Sequence, residues 1–190
     1  FFFFLLQGIF VRTAGDSEFA LRFVSAMAAT LLVPSVYVTA RFYVRREGLP
    51  PSAPLWSALL AAVSPFFLWY GQEARPYALW ALLAVLSTYL LLRSVAAGET
   101  DASLRKWRIG YLITLVFFLS THYYAVFLMP VQALVVYVAL HTVNRRRALL
   151  LALSLLLAGA LVGLAALWLV LRQGGGGNFT SIRLGILLPD

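Results

Sequence analysis

The feature that most restricts this chain is a succession of long apolar runs separated by short charged breaks. Four runs, Arg22 to Val44, Ser52 to Tyr70, Pro76 to Ala96 and Ala148 to Leu171, each hold close to the ~20 residues an α-helix needs to cross a hydrocarbon layer. A chain that is 62% hydrophobic and only 12% charged also lacks the polar surface to cover a water-facing fold. The runs show none of the strict alternation of barrel strands, so their backbone polar groups can be satisfied only within helices. The sequence therefore predicts an all-α, polytopic transmembrane helix bundle.

The breaks set the order of the bundle. Phe1 to Val11 is about half a span, the tail of a truncated helix or an interfacial segment whose partners lie upstream. Asp16 or Ser17 can cap the first full span, a kink is expected at Pro34 near its middle, and Arg41, Arg45 and Arg46 close it before Gly48-Leu49-Pro50-Pro51. Trp107 to His141 is too long for one span and barely enough for two, so two short helices are expected. A helix from Trp107 to Ser120 would cover about 20 Å, which recesses the Ser120-Thr121-His122-Tyr123-Tyr124 turn below the surface. Of the 15 Lys and Arg, ten (Arg41, Arg45, Arg46, Arg93, Arg105, Lys106, Arg108, Arg145, Arg146, Arg147) fall on one side of these spans and five on the other. The richer side is assigned to the cytoplasm.

That distribution accounts for the net charge of +8 as a signal of membrane orientation and argues against nucleic acid as a partner. The lack of cysteine excludes disulfides, thiolate catalysis and Cys-type zinc sites. The opening Phe-Phe-Phe-Phe without an initiator Met, and the stop just past a Gly-rich stretch, read as a fragment of a longer chain. Residues 1–172 are expected to form the membrane domain and 173–190 an outer loop.

Chemistry concentrates in one stretch, Ser64 to Trp80, where Glu73 and Arg75 sit between two apolar runs. Gly71 suits a helix end and Pro76 a helix start, so Gly71 to Arg75 reads as a tight turn holding a carboxylate, a guanidinium and free N–H groups at one membrane face. Such a turn can hold an anion or a metal-bound phosphate; it can equally be an ion pair capping a hairpin. His122 is the one histidine away from a basic loop. It could bind metal, donate to phosphate or move a proton, or simply bridge two helices. His141, beside Asn144 and three arginines, belongs to the basic belt. Tyr123 and Tyr124, with Trp69, Tyr70, Tyr77 and Trp80, form either an aromatic surface for sugar and isoprenoid or an interfacial belt. Asn178-Phe179-Thr180 matches a glycosylation acceptor and Gly174 to Gly177 a hinge, and neither receives a function.

Three places carry a resemblance. They are Gly15-Asp16-Ser17-Glu18-Phe19-Ala20-Leu21-Arg22 with Ser25; Ser64-Pro65 with Gln72-Glu73-Ala74-Arg75-Pro76-Tyr77; and Thr121-His122-Tyr123-Tyr124. Through them the chain resembles membrane glycosyltransferases of the GT-C type, specifically bacterial relatives of the dolichyl-phosphate-mannose protein mannosyltransferases (family 39 and the Rgt-like group). The resemblance implies transfer of a hexosyl or pentosyl sugar from a polyprenyl-phosphate carrier to a lipid, glycan or protein acceptor on the outer, periplasmic face of the cell membrane. It implies catalytic roles for Glu73 and His122, and substrate binding by Gln72, Arg75, Tyr77, Tyr123 and Tyr124. A divalent metal stays open as cofactor. The family's principal acidic residue lies in a first outer loop that would precede Phe1, so the stretch by itself is expected to be inactive. Two other readings remain, a transporter or lipid flippase bundle and a structural membrane subunit. Transporters place ionisable groups at the midplane of repeated halves, whereas here these groups gather at one face and no repeat is seen.

Overall fold

The computed structural model describes residues 2–96, 100–141 and 145–174. Within them the chain folds into α1 (Phe2–Ala14), α2 (Glu18–Glu47), α3 (Ala53–Ala62), α4 (Pro65–Gln72), α5 (Tyr77–Ser94), α6 (Asp101–Thr121), a 3-10 turn (Tyr123–Phe127), α7 (Leu128–Leu140) and α8 (Arg145–Gly174). The predicted all-α class holds. Three helical segments, Glu18–Glu47, Tyr77–Ser94 and Ala148–Ala165, are long and apolar enough to cross a membrane, and α3 with α4 makes a fourth if the pair is one broken span.

Local chemistry explains the ends. Gly15 takes a φ of 86° and donates its N–H to the Val11 carbonyl, stopping α1. Of the two expected caps, Ser17 takes the role: its hydroxyl accepts the Ala20 N–H at 3.2 Å. Gly48 closes α2 at φ 65°, where only glycine is unstrained. α2 runs continuously through Pro34.

α5 is the central helix, packed on α2, α4, α6 and α7. Its Ala78, Leu79, Leu82, Leu83 and Leu91 join Phe3, Ala28, Leu115, Phe118, Met129 and Val136 in the core. This is the position in which a helix apolar all round is stable. A buried polar node crosses that core. Tyr111 donates to Gln132 Oε1 at 2.8 Å, and Gln132 Nε2 donates to Ser87 at 2.9 Å, so α5, α6 and α7 are tied where no water is needed.

Four local expectations are corrected, and a fifth falls largely outside the described residues. The second run is two helices bent by 47°, because Ser64, which precedes Pro65, is held extended (ψ 119°). Gly71 lies inside α4, not at its end, and the turn is Glu73 to Pro76. A Cβ on Gly71 would meet that of Ala29 at 2.9 Å, so this glycine serves the crossing of α4 over α2. α6 starts at Asp101, capped by Thr100, and at 21 residues covers about 31 Å, so helix length alone does not recess the turn after it. α1 finds partners within the chain, Phe3 being fully buried and Phe2 stacking on Phe117 at 4.5 Å. Finally, α8 continues through Arg172 to Gly174, while 175–190, with most of the expected outer loop, lie outside the described residues, as do Glu99 and Asn144.

Candidate functional site

The turn between α4 and α5 is built from three constraints. Glu73 leaves the helix in extended geometry (φ −97°, ψ 143°), Arg75 closes back by donating its N–H to the Glu73 carbonyl at 2.8 Å, and Pro76 stands as the N-cap of α5, its carbonyl accepting the Trp80 N–H. Ser25, fully buried on α2, donates its hydroxyl to the Arg75 carbonyl at 3.1 Å and fixes the turn to the first long helix. The Glu73 carboxylate is engaged on both sides. Trp69 Nε1 donates to Oε1 at 2.9 Å, and Arg75 Nε faces Oε2 at 3.5 Å, an ion pair that leaves the buried Oε2 without a hydrogen bond.

The second half of the site comes from the end of α6. His122 takes an extended conformation there (φ −153°, ψ 139°), and its Nδ1 accepts the Tyr124 backbone N–H at 3.2 Å. That bond assigns the proton of the neutral ring to Nε2. Partial burial lowers the imidazole pKa from its ordinary value, so the neutral donor form dominates at neutral pH.

The two halves meet at a cavity of about 510 Å³ lined by Arg75, Tyr77, Thr121, His122 and Tyr123, with Phe4 of α1 and Val162 and Gly163 of α8 closing its apolar side. Tyr77 lies 5.6 Å from the His122 ring, Tyr123 stacks on His122 at 4.6 Å, and Tyr124 lies 4.7 Å from it. Tyr70 extends the aromatic row beyond Tyr77. Trp80 leaves the row and stacks on Phe118 inside the bundle. An almost wholly apolar groove of about 490 Å³ lies beside the cavity, between α7 and α8, with Val126 and Gly163 lining both.

Of the residues singled out in the sequence, Arg75, Tyr77, His122 and Tyr123 thus line one cavity. Tyr124 sits behind His122 as a backbone and ring neighbour, and Glu73 sits behind Arg75. Gln72 lies apart, in a groove with Ala26, Thr30 and Val33 of α2. Sequence reading missed Phe4 and the α8 contribution. The spacing Gly159-Ala-Leu-Val-Gly163 was the available signal for the latter, since small residues four apart let helices approach closely, and a Cβ on Gly159 would meet that of Met129 at 2.8 Å. Gln132, a lone amide within an apolar run, was likewise visible and passed over. Among the described residues no three His, Asp or Glu side chains come together, and Arg75 is the charged residue among those lining the cavity.

Helices long and apolar enough to cross a membrane, with Arg75, His122 and two tyrosines around a cavity at one end, define a polytopic membrane protein. A family model ties that architecture to a lineage, matching residues 1–171. The chain belongs to the dolichyl-phosphate-mannose-protein mannosyltransferase family. No curated protein and no solved structure matches it. Membership makes it a membrane glycosyltransferase of mannosyltransferase type, in a family that draws on polyprenyl-phosphate-linked sugars, and sets aside the transporter and scaffold readings.

Proposed function

We propose that the cavity holds the phosphate of a polyprenyl-phosphate-linked sugar at the outer face of the membrane and that the carrier chain lies in the apolar groove between α7 and α8. The observation that carries this reading is the convergence of Arg75 and His122, from different helix ends, on one cavity that adjoins that groove. In the reaction an acceptor oxygen bonds to the anomeric carbon as the bond from that carbon to the phosphate oxygen breaks. The electron pair leaves with the polyprenyl phosphate, and the acceptor's proton passes to a base. Arg75 and the Nε2–H of His122 stabilise the charge that develops on the leaving phosphate, as hydrogen-bond donors already in place before the bond breaks. Tyr77 and Tyr123 give the sugar flat apolar faces.

Glu73, set behind Arg75, acts by orienting the guanidinium rather than by touching substrate. No step is assigned to a metal, and the acceptor is a protein or glycan in keeping with the family. Arg75→Lys and Glu73→Gln in the intact membrane protein test the assignment. Arg75→Lys should weaken donor binding about tenfold, because Lys keeps the charge and loses the planar fork. Glu73→Gln should lower donor affinity by a smaller factor, and the double variant should be no worse than Arg75→Lys alone. Intact donor affinity with turnover cut about a hundredfold in Glu73→Gln would instead make Glu73 a direct participant in the chemistry.

A further inference from the structure

A second cavity, of about 310 Å³, opens at the other end of the bundle, between the C-terminal end of α5, the first half of α6, α7 and the first half of α8. It shares no lining residue with the site above. Its walls are apolar, made by Leu91, Leu112, Val136, Leu151 and Leu155. The two serines lining it, Ser94 and Ser154, donate their hydroxyls to carbonyls of their own helices at 2.7 and 2.8 Å. Tyr111 also faces it, but its hydroxyl is committed to Gln132. Such a space has no use for water, and an apolar cavity half this size, about 150 Å³, already takes up an apolar guest.

At its edge stands one charged group, Arg108, exposed and without an ion pair among the described residues. Arg105 and Lys106 lie on the neighbouring turn of α6 and are also exposed, and Arg145 and Arg146 open α8. An apolar slot edged by Arg108, with four more basic residues at the same ends of α6 and α8, is complementary to an amphiphile with a phosphate head and an apolar tail. We propose that this crevice is a binding site for an anionic glycerophospholipid of the leaflet at the basic end, one acyl chain filling the cavity and the phosphodiester seated on Arg108. The site is independent of the donor reading and would stand if that reading failed. Its occupant wedges α8 against α5 and α6, the two helices whose opposite ends carry Tyr77 and His122.

The probe is phosphatidylglycerol with a diazirine in its acyl chain, added to the protein in phosphatidylcholine vesicles, with adducts mapped by mass spectrometry. Adducts should fall on the segments holding Leu112 and Leu155 and be competed by unlabelled phosphatidylglycerol but not by added phosphatidylcholine. Arg108→Gln, a change at an exposed side chain, should reduce labelling about fivefold at low salt, the effect of one basic residue near a membrane surface. Leu155→Trp should abolish it by filling the slot. Equal labelling of wild type and Arg108→Gln, or equal competition by phosphatidylcholine, would reduce the crevice to ordinary lipid contact and overturn the proposal. Preferential competition by polyprenyl phosphate would overturn it in favour of a carrier site.

Discussion

His122 shows how one backbone contact can decide what a side chain does. Its Nδ1 is held by the Tyr124 N–H, so only the neutral ring keeps the turn intact, and protonation there would replace an acceptor with a second donor. Because burial lowers the folded-state pKa, the unfolded chain binds the proton first as pH falls. The contribution of His122 to stability is therefore complete above about pH 6.5, the ordinary histidine value, and is lost as pH drops from there through the folded value. Melting curves in detergent between pH 8 and pH 5 should accordingly show a steeper acid loss for wild type than for His122→Gln. Parallel curves would mean that the imidazole is not held neutral by the fold. The residue types of this site were legible in the sequence because Glu, Arg and His are conspicuous in apolar surroundings. Their grouping was not: nothing in the spacing of Glu73 and Arg75 says that only the second reaches the cavity.

Elements were legible where apolar length decides and misread where a single contact decides. The long spans follow from hydropathy, as α2, α5 and α8 show. Gly71, by contrast, has the composition of a helix end and the role of a crossing point, because the fit of Ala29 against it is a tertiary fact. Gly71→Ala should lower stability by about 1–3 kcal/mol, the usual range for overpacking, and shift α4 and the turn it carries. Adding Ala29→Gly should restore most of the loss, since the two positions share one contact. Thermal unfolding of the two single variants and the double variant measures that coupling, and additive losses would show that α4 does not lean on α2 at this point. The early start of α6 has the same kind of cause: Thr100 accepting the Ser103 N–H extends a helix into a segment that charge alone marks as loop.

The whole molecule has two distinct ends. Ser25 and Arg75, Tyr77 and His122 meet at one; Phe42, Tyr89, Arg93 and Trp107 meet at the other, where the Arg93 guanidinium lies 4.2 Å over the Trp107 ring and 5.3 Å over Phe42. The Arg75–His122 cavity and the basic clusters are thus separated by the length of α5, and the proposed outer-face reaction requires the basic end to face the cytoplasm. Single cysteines at the exposed positions 74 and 124 should therefore react with an impermeant maleimide from the outside only, and one at the exposed position 105 from the inside only. The reverse pattern would place the cavity in the wrong compartment for an outer-face transferase.

The proposed function requires the sugar donor's phosphate and first isoprene units to lie in the Arg75–His122 cavity and the groove beside it. A polyprenyl-phosphate sugar with a photoreactive diazirine on the phosphate-proximal isoprene, bound to the intact protein in vesicles and mapped by mass spectrometry, addresses this directly. Labelling should concentrate on residues 119–126 and 159–164, which wall the cavity and groove, and should fall about tenfold in Arg75→Lys. Labelling concentrated instead on the α2–α4 groove around Thr30 and Gln72, or on the basic-end cavity around Leu112 and Leu155, and unchanged by Arg75→Lys, would contradict it.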